Sequence, residues 1–147
     1  MALDFSTTIG RYISLTWRLM SANMGKKLAP YGIGPGQFPV LFILYGEDGL
    51  SQRAIAERIA LDKAAVARAV DKLERLEYVR RKPDGGDKRV INVFLTPKAI
   101  KLRPKLEEAV ESLLDEMQTG LDPHERKVAK KLLGVMVANL NAARKTP

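Results

Sequence analysis

With no cysteine among its 147 residues, the chain excludes disulfides, thiolate metal sites and thiol-based redox sensing, and its length suits one domain burying roughly 68% of its unfolded surface. A net charge of +8 and a pI near 9.8 favour an anionic partner, although ribosomal, membrane-surface and merely soluble proteins share such values. No stretch approaches the roughly 18 apolar residues of a membrane span, and MALDFSTTIGRY lacks the basic and unbroken apolar runs of a signal peptide, so a cytoplasmic protein without a membrane partner is expected.

In chain order, Ile9, Ile13, Thr16/Trp17, Met20 and Met24 recur at spacings of three and four and predict an amphipathic helix over 4–28. At 1.5 Å per residue it would run roughly 37 Å, too long to be covered along its length within one small monomer. Tyr31–Gly36 breaks the pattern, and Pro35 can open a second helix reaching about Tyr45. After a turn at Gly46–Gly49, Ser51 reads as the N-cap of a short helix to Ala60, and Asp62 as the N-cap of another to about Leu76.

A hairpin is predicted over 79–95. The run Arg80–Arg81–Lys82 leads to Pro83–Asp84–Gly85–Gly86, where the two glycines permit a tight reversal, and Val90, Val93 and Leu95 anchor the return strand. Thr96 and Pro97 open a helix that buries Leu102, Leu106, Ala109/Val110, Leu113 and Met117, contains Pro104 as an expected kink, and stops at Gly120. Asp122–Pro123–His124–Glu125 starts the last helix, which continues to about Ala143 and is apolar on more than one stripe. The first and last helices therefore suit a dimer-forming platform; the alternative is an intramolecular bundle of the first, fifth and sixth helices.

Two short helices, a turn and a basic hairpin are the layout of a winged helix-turn-helix, so the expected fold is mostly α with a small β-hairpin wing (α+β), and the expected partner is double-stranded DNA. On the helix 62–76, Val66, Ala69/Val70, Leu73 and Leu76 share the core face. The opposite face carries Ala64, Arg68, Asp71 and Arg75, flanked by Lys63, Ala65, Ala67 and Lys72. Small residues let the backbone approach base edges, where Arg68 can reach guanine O6 and N7 and alanine methyls can meet thymine methyls. An ordinary solvated face would have the same composition; the adjoining hairpin favours the DNA reading. Ser51, Gln52 and Arg53 at the start of the preceding helix are further candidate contacts. Lys88 and Arg89 follow the hairpin turn, placed for phosphate or the minor groove, with Asp87 expected to orient Arg89. Charge density supports this only weakly, since 51–89 holds 11 Lys/Arg against 7 Asp/Glu and the remainder 14 against 10, a net of +4 for each.

Residues 35–103 resemble the MarR (multiple antibiotic resistance regulator) family of winged-helix transcription factors. The similarity is carried by GPGQFPVLFIL, by SQRAIAERIALDKAAVARAVDKLERLEYVRR, and by DGGDKRVINVFLT with its wing signature Asp87–Lys88–Arg89 and closing Leu95–Thr96. The resemblance implies that Arg89 enters the minor groove and that long terminal helices form a homodimer. It divides a single domain, 1–147, into a reading head at 35–96 and dimerisation helices at 1–34 and 97–147. Two departures stand out: Ala64, Ala65 and Ala67 replace the Ser or Thr frequent early in the family's recognition helix, and Lys98–Ala99 replaces the glycine after Leu-Thr. Fewer side-chain hydrogen bonds are then available, and specificity leans on Arg68, apolar contacts and DNA shape.

The expectation is a sequence-specific, homodimeric transcriptional regulator, a repressor released from a pseudo-palindromic operator by a small-molecule effector. By resemblance the effector is a small aromatic or phenolic anion held between platform and head. Tyr12, Trp17, Arg18 and Phe38 are its candidate pocket residues, although Trp17 and Phe38 also suit core or interface and Arg18 suits solvent. The competing reading is a non-specific architectural DNA-binding protein. An enzyme is not expected: there are no candidate catalytic or metal-binding residues and no implied cofactor. His124 lies in a helix's first turn without partners, and Gly32–Gly36 has Gln37 where the third glycine of a phosphate loop belongs, with no strand before it.

Overall fold

A computed structural model of the protein describes residues 4–145; residues 1–3 and 146–147, which the expected domain range includes, lie outside the described residues. The first long helix, α1, spans Ile9–Leu28 and is shorter than the apolar spacing predicts. Two capping residues compete at its start. Asp4 caps a separate 3-10 turn at Phe5–Thr7, while the extended Thr8 accepts from the Arg11 N–H at 3.3 Å and begins the helix proper. Its 20 residues give roughly 30 Å rather than 37 Å.

Helix α2 spans Phe38–Gly46, so Pro39 and not Pro35 occupies its first turn. The intervening segment is held by Gln37, whose Oε1 accepts from the Gly34 N–H at 3.0 Å. Ser51 and Asp62 cap α3 (Gln52–Ile59) and α4 (Lys63–Arg75), accepting from Ala54 N–H at 3.1 Å and Ala65 N–H at 2.8 Å. Between them Ala60 takes the left-handed conformation at φ 54° and ends α3. Val66, Ala69, Val70 and Leu73 are buried, as their spacing requires.

Three strands form one antiparallel sheet in the order β1–β3–β2, with β1 at Leu50–Ser51, β2 at Val79–Pro83 and β3 at Ile91–Leu95. The hairpin register pairs Val79 with Leu95 and Pro83 with Ile91; Leu50 pairs with Val93 on the other edge. The short β1 is an element beyond the predicted hairpin. It is reached through Gly49 at φ 76°, where a Cβ would stand 2.8 Å from the Phe94 ring, so only glycine lets the chain pass there. The return strand starts at Ile91; Val90 precedes it and is exposed, so of the three expected anchors Val93 is buried and Leu95 half-buried, with Val79 of β2 buried beside them.

Thr96 opens α5 (Pro97–Gln118), which runs through Pro104, and α6 occupies Pro123–Lys145. The core gathers Met24 and Leu28 of α1, Val40, Leu41 and Leu44 of α2, the inner faces of α3 and α4, Val79 and Val93 of the sheet, and Leu106 of α5. Nineteen apolar side chains among the described residues are buried there, packing α4 and the hairpin onto one core. Met117 is exposed where the spacing placed it in the core. Backbone packing divides the chain into two units, Met1–Leu113 and Leu114–Pro147. The second holds α6 and its capping box, in which Asp122 accepts from Glu125 N–H and Glu125 accepts from Asp122 N–H, both at 2.9 Å.

Candidate nucleic-acid interface

The outward face of α4 presents Lys63, Ala64, Arg68, Asp71 and Arg75, all exposed, with Ala65, Ala67 and Lys72 half-buried at its flanks. Asp62 at the cap satisfies one of the helix's free N–H groups and leaves the first turn regular. Beside Arg68 the first two turns carry Ala64, Ala65 and Ala67, with Lys63 at the helix start, so the backbone can come close to an opposing surface.

Position along strand β2 divides the three consecutive cations Arg80–Arg81–Lys82. Alternation sends Arg80 outward, leaves Lys82 over the Phe94 ring at 5.6 Å, and turns Arg81 inward. Arg81 is the centre of a network. Its Nε donates to Gln52 Oε1 at 2.7 Å, its Nη1 to Glu74 Oε2 at 3.1 Å, and its Nη2 to the Ala67 carbonyl at 3.2 Å. Nη2 also pairs with Asp71 Oδ1 at 2.6 Å, and the Arg81 N–H donates to Glu74 Oε1 at 3.0 Å. One side chain thus ties the start of α3 and the middle of α4 to the hairpin, and it pairs with the Asp71 charge on the outer face.

At the hairpin tip the reversal depends on Asp84. Neither Gly85 nor Gly86 adopts a left-handed φ, so the tight turn expected from the two glycines is instead built by a carboxylate. Asp84 accepts from Gly86 N–H at 2.9 Å, Asp87 N–H at 3.2 Å and Asn92 Nδ2 at 3.0 Å, and these bonds hold its carboxyl below the usual carboxylate range. Beyond it, Arg89 grips Asp87 with two parallel bonds of 3.0 Å, from Nε to Oδ1 and Nη2 to Oδ2. Each group favours the other's charged form, lowering the Asp87 carboxyl and raising the Arg89 guanidinium. Lys88 and Arg89 are both exposed.

The candidate contacts are therefore distributed unevenly. Arg68, Lys63, Lys88 and Arg89 stand outward, whereas Gln52 is half-buried against Arg81 and Arg53 is paired with Glu57 of its own helix at 3.1 Å. The side-chain oxygen of Ser51 is occupied by its capping bond.

Residues 31–90 match the MarR family. The uncharacterized HTH-type transcriptional regulator YybA of Bacillus subtilis (strain 168) is 31% identical over 84% of this chain and 82% of its own length. The chain belongs to the MarR family. A MarR transcriptional regulator from Methanosarcina mazei Go1 is similar in structure, with a TM-score of 0.85 at 38% identity over 89% of this chain and 94% of that one. The fold is shared further with BpsR of Bordetella bronchiseptica, solved to explain regulation of its DNA binding by 6-hydroxynicotinic acid, with a TM-score of 0.84 at 23% identity over 93% and 98% of the two chains. DNA binding and transcription regulation by a winged helix are thus the function of this MarR protein.

Of the four candidate effector residues, Trp17 and Phe38 line one cleft of about 540 Å³ with Met20, Ser21, Ile59 and Leu61, between α1, α2 and the end of α3. Tyr12 and Arg18 are exposed on α1 and line no part of it. Ser21, which the spacing did not single out, places a buried hydroxyl there without a hydrogen-bond partner among the described residues. The inward turn of Arg81 and the bracing by Asp84 lie beyond the sequence reading. The period-two alternation of β2 held a signal for the first; nothing local held one for the second.

Proposed function

We propose that this MarR protein is a homodimeric, sequence-specific regulator, a repressor that leaves its pseudo-palindromic operator when a small aromatic molecule binds. The single observation carrying it is the outer face of α4, where Arg68 stands among alanines beside a hairpin that presents Lys88 and Arg89. Arg68 reads guanine in the major groove and the hairpin tip follows the adjacent minor groove or phosphates. Residues 35–96 act as the reading head, and 1–34 with 97–147 as dimerisation helices. Exposed Phe5, Ile9, Tyr12 and Trp17 near the N-terminus, and Leu132, Val135 and Leu140 on α6, support such an interface. Two-fold pairing of heads would put half-sites about one helical turn apart.

The cleft at Trp17 and Phe38 suits a ring, and the unpartnered Ser21 hydroxyl suits one hydrogen-bonding substituent. No cation lines it, which favours a neutral phenol over the anion that the family resemblance suggested. Effector and DNA then weaken each other's binding by the same factor.

Selection of genomic fragments by the purified protein, followed by footprinting, tests the proposal. A compact palindromic footprint supports a dimeric regulator. Enrichment without a motif would overturn it in favour of an architectural DNA-binding protein, with a specificity ratio below about tenfold where regulators reach roughly 10³ or more.

A further inference from the structure

We propose that Arg81 is a positioning residue for DNA recognition, holding the Gln52 side-chain oxygen so that the amide NH2 donates to a DNA phosphate. The inference rests on the DNA-binding reading above and assigns roles that the outward-facing residues do not cover.

A glutamine side chain has one acceptor and one donor end, and bidentate reading of adenine needs both. In this protein the acceptor end is held by Arg81. Arg81 Nε carries a hydrogen and no lone pair, so the atom facing it at 2.7 Å is the Gln52 oxygen, and the amide orientation is fixed. What Gln52 has left is its NH2 group, on the first residue of α3 and half-exposed. Phosphate oxygens accept only, so the amide NH2 alone suffices for the backbone, whereas the paired contact to an adenine edge would have to share the oxygen that Arg81 holds.

Arg81 is itself unsuited to meet DNA. Its guanidinium is spent on Gln52, Glu74, Asp71 and the Ala67 carbonyl, and its single charge stands between two carboxylates. Because those partners lie on α4 and the Gln52 contact is on α3, the guanidinium fork transmits the position of the recognition helix to the amide. Lysine cannot substitute for this. It keeps the positive charge near Asp71 and Glu74 but lacks the planar fork and the Nε–H that Gln52 needs.

The test measures dissociation constants of the full chain for a duplex carrying its selected site and a random duplex of equal length. The variants are Gln52→Ala, Gln52→Glu, Arg81→Lys and the double variant Gln52→Ala/Arg81→Lys. Loss of one hydrogen bond is expected to make Gln52→Ala about three- to tenfold weaker, by the same factor on both duplexes. Gln52→Glu still accepts from Arg81 but donates nothing, and is expected to lose at least as much. Arg81→Lys is expected to weaken the parent by a similar factor yet change the Gln52→Ala protein less than about twofold, since the two residues act as one unit. Equal losses from Arg81→Lys in both backgrounds would overturn the positioning role. A Gln52→Ala loss confined to the selected site would show base reading and overturn the phosphate assignment. Should Arg81→Lys fail to melt cooperatively, the two Gln52 variants decide alone, and wild-type binding by Gln52→Glu sinks the proposal. A parent protein that binds neither duplex removes the DNA reading and this role together, whereas a binding parent with indifferent variants removes only this role.

Discussion

The Tyr45 hydroxyl donates a hydrogen bond to the Ala99 carbonyl at 2.7 Å, joining the last turn of α2 to the first turn of α5. The join is reciprocal. Arg103 returns from α5 to the Tyr45 carbonyl at 3.3 Å and lies 5.3 Å from the centre of the Tyr45 ring. A phenol half-buried in this position must be neutral to donate, and burial pushes its pKa up to about 12 against the smaller pull of Arg103.

Tyr45→Phe is expected to destabilise the protein by about 1 kcal/mol, as read from urea unfolding at neutral pH. Because the folded pKa is raised, the contribution is complete below the ordinary tyrosine value of 10.0 and is lost as pH rises towards about 12. Unfolding midpoints of parent and Tyr45→Phe should therefore converge across that alkaline window. A constant gap through it would show that the hydroxyl does not titrate in the folded state as described.

Thr96 is the buried polar residue at the junction of sheet and α5, and its hydroxyl works in two directions. It donates to the Glu77 carbonyl at 2.6 Å and accepts from the Ala99 N–H at 3.3 Å. Thr96→Val fills nearly the same volume without either bond, so a loss of about 1–2 kcal/mol is expected. Thr96→Ser should recover most of it. If valine is tolerated as well as serine, the methyl and not the hydroxyl holds this junction.

Two backbone strains could be relieved. Ala60 and Glu77 sit at φ 54° and φ 62°, in the region that favours glycine. Replacing Ala60, which ends α3, by glycine is expected to raise stability by up to about 1 kcal/mol, the relief of strain exceeding the greater freedom of the unfolded chain. Thermal unfolding of Ala60→Gly checks it, and a lowered midpoint would mean the entropy cost prevails.

Residues with short-range consequences were legible in the sequence. Ser51, Asp62 and the Asp122/Glu125 pair act over three positions and announced their helices, and the spacing of Val66, Ala69, Val70 and Leu73 announced the buried side of α4. The start of α1 was misread because Asp4 and Thr8 are both good caps, and only the backbone shows which one the long helix uses. Strand β1 has two residues and carries no period; its existence depends on Val93, more than forty residues away. The site divides the same way. Arg68 follows from helical geometry, whereas the Gln52–Arg81 contact spans 29 residues and becomes visible only when the helices are packed.

The hairpin tip offers a pH-dependent test. Asp84 owes its lowered pKa first to the Gly86 N–H, then to Asp87 N–H and Asn92, so its bracing is complete above the ordinary carboxylate value of 3.8 and is lost as pH falls through the lowered one. Protection of the Gly86 and Asp87 amides from exchange is expected to persist below pH 3.8 and then fail. Asp84→Ala should abolish it at every pH while the α4 amides stay protected. Uniform loss across both elements would mean that the tip has no independent order.

Arg68 and Arg89 should fail differently, because one is proposed to read a base and the other to follow the groove beside it. Arg53, Arg58, Arg81, Arg89 and Arg103 all hold carboxylates, while Arg68 stands exposed among alanines without an ion pair among the described residues. In the proposed contact its guanidinium would have no partner among the described residues to give up. Arg68→Ala is expected to cost about 1–3 kcal/mol at the selected site, to relax preference at one base pair, and to leave random DNA little affected. Arg89 must loosen or carry along its two bonds to Asp87, so its alanine variant is expected to weaken both kinds of DNA and to leave the oligomeric state unchanged. Titrations at several salt concentrations separate the two, since losing a phosphate contact lowers the salt slope by about one and losing a base contact alone does not. Equal weakening of selected and random DNA by Arg68→Ala would remove it from base recognition and leave the specificity of this MarR protein to DNA shape.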